Sequence, residues 1–201
     1  MTRRFLFVTV LFILIATFLH CGGSRKIATE VQPLGFVPFL SENLSPDPAY
    51  LNQQLQRTLI TSGSFNVIPL SSQPMVADLN TLHQLGDSSV QFILTGRFLT
   101  ETQQTTAGKH IPAVAYLPKN EVTVKAEILL YNRKERKWQT IREVEGVAAK
   151  KGGVQFTGLD KNHPDLQISA PEYARLQQQA YQHLFFNIIK ILEKEMEIKK
   201  E

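Results

Sequence analysis

Residues 121–132, EVTVKAEILLYN, change polarity at almost every step. Val122, Val124, Ala126, Ile128 and Leu130 fall on one side, and Thr123, Lys125, Glu127 and Leu129 on the other. Successive side chains of a strand point to opposite faces, so this spacing predicts a strand with one face buried. The charged run RKERK predicts a turn. WQTIREVEGVAAKK then resumes an alternation, with Trp138, Thr140, Arg142 and Val144 opposed to Gln139, Ile141 and Glu143. The two segments predict an antiparallel hairpin. A further apolar stripe, at helical spacing, lies at the end of the chain. Leu176, Ala180, Leu184, Ile188 and Ile191 recur at helical spacing, widened by Phe185 and Leu192. Ser169 or Ala170 stands near the cap of that long helix, with Pro171 in its first turn.

Upstream, residues 31–40, VQPLGFVPFL, predict a strand buried on both faces. Pro38 lacks a donor and marks an edge position or the strand's exit. After a loop holding the helix-starting residues Ser45 and Asp47, Leu51, Leu55 and Leu59 predict a helix over 50–62, stopped by Gly63. Residues 65–70 read as a short strand. Met75 or Val76, Leu79, Leu82 and Leu85 predict a second helix ending at Gly86. Residues 90–102, VQFILTGRFLTET, predict a strand in which Gly96 marks a bulge or a close packing point. Residues 103–120 read as a polar turn and a small apolar patch, and 152–165 as irregular chain. The order predicts one three-layer α/β domain: a mixed sheet, early βαβ units, a late antiparallel hairpin and a long C-terminal helix.

The amino terminus carries a different signal. Arg3 and Arg4 precede residues 5–19, of which only Thr9 and Thr17 are not apolar. A basic start and a short apolar core have the form of a secretory leader, whereas a membrane span needs about 20 residues. The single cysteine, Cys21, closes this run in FLHC. It has no internal disulfide partner. FLHC resembles the lipobox of bacterial lipoproteins, with Leu19 close upstream, although His20 stands where that pattern has Gly, Ala or Ser. The resemblance implies cleavage between His20 and Cys21 and lipid attachment at Cys21. GGSRK downstream then serves as a flexible tether. An ordinary cleavage after Gly22 or Gly23 is the alternative, and it would leave a soluble periplasmic protein. The expected division is a leader over 1–20, a tether over 21–30 and the domain over 31–201. Of 22 Lys and Arg, two leave with the leader, so 20 face 18 Asp and Glu, a balance of +2.

Catalytic constellations do not assemble in the sequence. No G-x-G-x-x-G follows the first strand, GVAAKKGG lacks a phosphate cradle, and no G-x-S-x-G elbow occurs. His83, His110, His163 and His183 are scattered, without the i, i+4 pairing of a helical zinc site. Glu143 and Glu145 read as a solvated strand face. No enzyme activity, cofactor, metal or small-molecule substrate is expected. One surface feature remains. YNRKERKW places Arg133, Lys134, Arg136 and Lys137 beside Trp138, a candidate interaction tip for headgroups or an acidic polymer. Export excludes nucleic acid as its partner, and Glu135 dilutes the charge. The alternative reading is a charged turn that keeps the sheet edge soluble.

GFVPFLSENLSPDP, with Pro38, Phe39 and Asn43, resembles the opening of CsgG-like and TolB-amino-terminal-like domains. LITSGSFNVIPL is similar to their helix exit, VQFILTGRF with Gly96 to their inner strand, and AEILLYNRKERKW to their later hairpin. The closing helix corresponds to 172–195, so the resemblance covers 31–196. It implies an α/β domain in a two-membrane bacterial envelope, lipid-anchored and acting through protein contacts. The curli secretion channel and lipoprotein activators of penicillin-binding proteins are of this kind. The channel's two long amphipathic hairpins are missing here. The expected protein is therefore a non-enzymatic outer-membrane lipoprotein facing the periplasm. It is held to the membrane by its N-terminal lipid and binds another envelope protein as scaffold, assembly factor or activator. A self-associating subunit of an export complex is the first alternative, and an exported hydrolase with an unrecognised site the second.

Overall fold

The computed structural model describes residues 31–41, 44, 46–76, 78–85, 89–106, 110–111, 115–116, 119–151 and 168–197. His20, Cys21 and the 21–30 tether lie outside the described residues, as does the irregular 152–165 stretch.

β1 (Gln32–Phe36) runs into β2 (Leu40–Ser41), followed by α1 (Pro48–Thr61), β3 (Phe65–Pro69), α2 (Leu79–Gln84) and β4 (Phe92–Thr106). A small bridge, β5 (His110–Ile111) with β6 (Ala115–Tyr116), precedes β7 (Lys119–Asn132), β8 (Lys137–Lys151) and α3 (Ala170–Glu195). The main sheet has the order β3-β1-β4-β7-β8, with β2 also on β4. β1 pairs in parallel with β3 and β4, whereas β4–β7 and β7–β8 are antiparallel. The mixed three-layer architecture expected from the sequence is present.

The layering follows from handedness. The crossover through α1 moves outward from β1 to β3, and the one through α2 returns past β1 to β4. Right-handed crossovers in opposite directions place their helices on opposite faces of a sheet. Accordingly Leu51, Leu55 and Leu59 of α1 join the main core with α3, and Leu82 of α2 joins a second cluster with Val37, Val90, Ile93 and Tyr131. The alternation of β7 holds throughout: Val122, Val124, Ala126, Ile128 and Leu130 are buried against α3. From α3, Leu176, Ala180, Leu184, Ile188 and Leu192 meet them. Ile191 is only half-buried, and Tyr181 and Ile189 complete the stripe in its place.

β4 runs on to Thr106, its residues 103–106 pairing with 119–122 of β7 where the sequence predicts a polar turn, and three further departures follow. The first strand breaks at 37–39, after Phe36, so Pro38 marks an exit and no ladder bond is lost. Asp47 caps α1, its Oδ1 accepting from the Ala49 N–H at 2.9 Å, and Gly63 ends the helix region at φ 73°. The second helix is six residues long. Asp78 accepts from the Thr81 N–H at 3.1 Å and starts α2 there, which leaves Val76 outside it and 78% exposed. The third departure lies in the strands' faces. In β8 the register shifts, Leu130 opposing Thr140 while Tyr131 opposes Trp138. The extra residue, Gln139, is a bulge. Trp138 therefore leaves the face of Thr140 and Val144 and packs on Tyr131, with ring centroids 5.7 Å apart.

At Gly96 a Cβ would lie 2.1 Å from the Glu127 carbonyl oxygen and 2.8 Å from the Phe39 ring. The close approach expected at this glycine is real, and a bulge also follows, where the register slips between Phe98 and Thr100.

Candidate functional site

The bulge after Phe98 decides what faces α3. Under strict alternation Glu101 would share a face with Ile93 and Thr95. The extra residue Leu99 shifts the parity, and Glu101 opposes buried Val124 on the helix-covered face. Its carboxylate meets three donors spaced at i, i+4 and i+8 on α3. The Tyr173 hydroxyl donates to Oε1, the Gln177 Nε2 donates to Oε1 at 2.6 Å, and the Tyr181 hydroxyl donates to Oε2 at 3.0 Å. Burial, followed by Glu101, pushes Tyr173 up to about 12 and raises Tyr181 further still. Both phenols remain neutral donors at physiological pH.

Tyr181 and Gln177 thus form a fixed floor under a cleft of about 500 Å³ between α1 and α3. From α1, Tyr50, Gln54, Thr58 and Thr61 line it at helical spacing, and from α3 Gln178, Gln182, Phe185 and Phe186. At its sides Tyr50 is 50% and Phe186 54% exposed. An aromatic chain ties this floor to the strand break. Phe39 lies 5.3 Å from Phe98, and Phe98 lies 6.4 Å from Tyr181 and 6.5 Å from Phe185. None of the thirteen lining residues is charged.

The basic tip expected from the sequence sits on the β7–β8 turn, and its five residues have different surroundings. Asn132 Oδ1 accepts from the Lys134 and Glu135 N–H groups at 3.1 and 3.2 Å, closing the turn, and Arg136 takes φ 53°. Arg133 reaches inward. Its Nη2 donates to the His83 and Leu85 carbonyls at 2.7 Å each, so a cation caps the C-terminal end of α2. Lys137 pairs with Glu135 at 2.8 Å, and Trp138 lies against Tyr131. Lys134 and Arg136 are exposed. Three of its cations, Lys134, Arg136 and Lys137, are thus exposed on the turn, while Arg133 and Trp138 are half-buried.

Sequence periodicity alone misses the cleft. It picks out the apolar residues of α3, whereas the cleft also takes in the glutamines that flank them, Gln177, Gln178 and Gln182. The run LQQQAYQHLFF is the local signal that points to it. Glu143 and Glu145 are exposed, and Glu143 pairs with Lys125 at 2.7 Å and raises that ammonium's pKa. Among the described residues no His, Cys, Asp or Glu cluster could hold a metal, and no helix is long and apolar enough to cross a membrane.

No protein-family model and no curated protein matches the chain. Among solved structures it is similar to the hypothetical protein CT253 from Chlamydia trachomatis, at 12% identity and TM-score 0.46, covering 81% of this chain and 96% of that one. A minor lipoprotein from Acinetobacter baumannii is 12% identical with TM-score 0.40, over 83% of this chain and 92% of the other. Lipoprotein GNA1162 from Neisseria meningitidis is 14% identical with TM-score 0.37, over 75% and 96%.

Proposed function

We propose that the protein is a non-enzymatic lipoprotein of the bacterial outer membrane. An acyl group on Cys21 holds it there, and a CsgG-like or TolB-amino-terminal-like domain faces the periplasm and binds another envelope component as scaffold, assembly factor or activator. The observation that carries the binding role is the α1–α3 cleft, in which two large rings, Tyr50 and Phe186, stay half exposed above a floor that Glu101 holds rigid. Exposed aromatics beside a preorganised floor are what recognition surfaces use. The anchor rests on the apolar leader that ends at Cys21.

The alternative is an export ring joined through helix and loop faces, and the sheet edge at β8 offers it no further seam. β8 is the outer strand, yet α3 already occupies part of its edge: His183 Nδ1 lies 2.6 Å from the Val147 carbonyl oxygen, and Asn187 Nδ2 donates to the Glu145 carbonyl at 2.9 Å. These contacts block edge-to-edge pairing at that point.

The test combines two measurements on the full chain expressed in a two-membrane bacterium. Intact mass of the mature protein should show an acylated Cys21 as first residue, and Cys21→Ser should release the protein from membranes. A photo-crosslinking residue at Tyr50 or Phe186 should capture an envelope component, and one at Lys134 should not. An unacylated start at Gly23 or Ser24, or equal capture from both surfaces, would overturn the reading.

A further inference from the structure

We propose that the α1–α3 cleft binds an uncharged saccharide chain; this rests on the binding role above and names the chemistry of the component bound. The cleft volume of about 500 Å³ lies within the range of ligand sites. Charged side chains make up 20% of the sequence, yet none lines the cleft. A phosphate, carboxylate or ammonium entering it would lose hydration and gain no counter-charge. A neutral occupant does not bear that cost.

The groups that do line the cleft suit hydroxyl and acetamido substituents. Within the described residues, no hydrogen bond engages the side-chain amides of Gln54, Gln178 or Gln182. Each offers two donors and an acceptor, and sugar substituents likewise both donate and accept. Tyr50 and Phe186, each half exposed at the cleft, supply the aromatic surface on which the C–H faces of pyranose units would stack. From Tyr50 to Thr61 the α1 wall runs about 16 Å at 1.5 Å per residue, which favours a chain over a single sugar. A docked helix is the poorer fit, because helix-in-groove recognition needs an apolar groove for its anchors. Here four glutamines and two threonines stand among seven apolar or aromatic residues, so polar groups interrupt the apolar lining.

Neutral tetrasaccharides, chitotetraose and maltotetraose, are titrated into the detergent-solubilised full chain by calorimetry, with tetragalacturonate as an anionic control. A neutral tetrasaccharide should bind and the anionic one should not. Gln178→Ala combined with Gln182→Ala should weaken binding by about tenfold or more, and Tyr50→Ala and Phe186→Ala should each weaken it with Tm unchanged. No heat from either neutral chain at millimolar concentration would overturn the assignment. So would binding that the variants leave intact, stronger binding of tetragalacturonate, or a self-associated species lost on Tyr50→Ala. If the photo-crosslinker at Tyr50 still captures an envelope protein while no saccharide binds, the binding role stands and the saccharide falls. If neither occurs, both fall.

Discussion

Asn52 carries the sharpest stability prediction, because one side chain replaces a missing strand neighbour. Where Pro38 breaks the first strand, Phe39 is fully buried and its backbone has no ladder partner. Asn52 of α1, 7% exposed, supplies one: Oδ1 accepts from the Phe39 N–H at 2.6 Å and Nδ2 donates to the Phe39 carbonyl at 3.0 Å. Nδ2 also reaches the Pro48 carbonyl at 3.0 Å. Asn52→Ala strands two buried backbone groups. At about 1–3 kcal/mol for each unsatisfied group, the expected loss is about 4 kcal/mol. For a chain of this size that corresponds to a fall of about 8–16 °C in Tm. Urea denaturation should show a lower midpoint with unchanged slope. Asn52→Asp sharpens the test. It keeps the acceptor but aims a carboxylate at two carbonyl oxygens, which raises its folded-state pKa. The stability of this variant should therefore be greatest below pH about 4, where the carboxyl is a donor, and fall as pH rises through the raised value. A loss under about 1 kcal/mol in Asn52→Ala, or no acid recovery in Asn52→Asp, would refute the reasoning.

Further predictions concern the other close contacts. A Cβ at Gly146 would lie 2.1 Å from the Ala180 carbonyl oxygen and 2.4 Å from the Leu184 nitrogen, so Gly146→Ala should lift α3. The expected loss is about 3 kcal/mol or more in thermal unfolding, because both obstacles are backbone. Glu101→Gln removes the charge that helps hold Tyr173 near 12, and its tyrosinate absorbance should appear at lower pH. Tyr173 is protonated more readily in the folded state. Its contribution is present below pH about 10 and lost as pH rises through about 12, and the variant should show a shallower alkaline slope. Arg133→Met keeps the stem but removes the donors at the His83 and Leu85 carbonyls. It should cost about 1.5–3 kcal/mol, measured by urea unfolding. Arg136→Gly relieves a left-handed residue and should gain about 1 kcal/mol in the same assay.

Periodicity and caps are local properties, and most of the elements follow from them. The two-residue repeat of β7 sets which of its side chains are buried, the leucine spacing sets the inner faces of α1 and α3, and Asp47 and Gly63 bound α1. These follow from the geometry of one strand or one helix and need no knowledge of neighbours. The cleft, the Glu101 network and the position of Trp138 were decided by tertiary structure. A bulge adds one residue and reverses the parity of everything beyond it, so alternation alone puts Trp138 on the wrong face and gives no sign that Glu101 turns toward α3. Asn52 meets Phe39 because the crossover lays α1 against the break after β1, and Tyr50 and Phe186 line one cleft because α1 lies beside α3. The first meeting depends on a three-dimensional crossover and the second on segments more than a hundred residues apart, and neither is written in the periodicity of a single element.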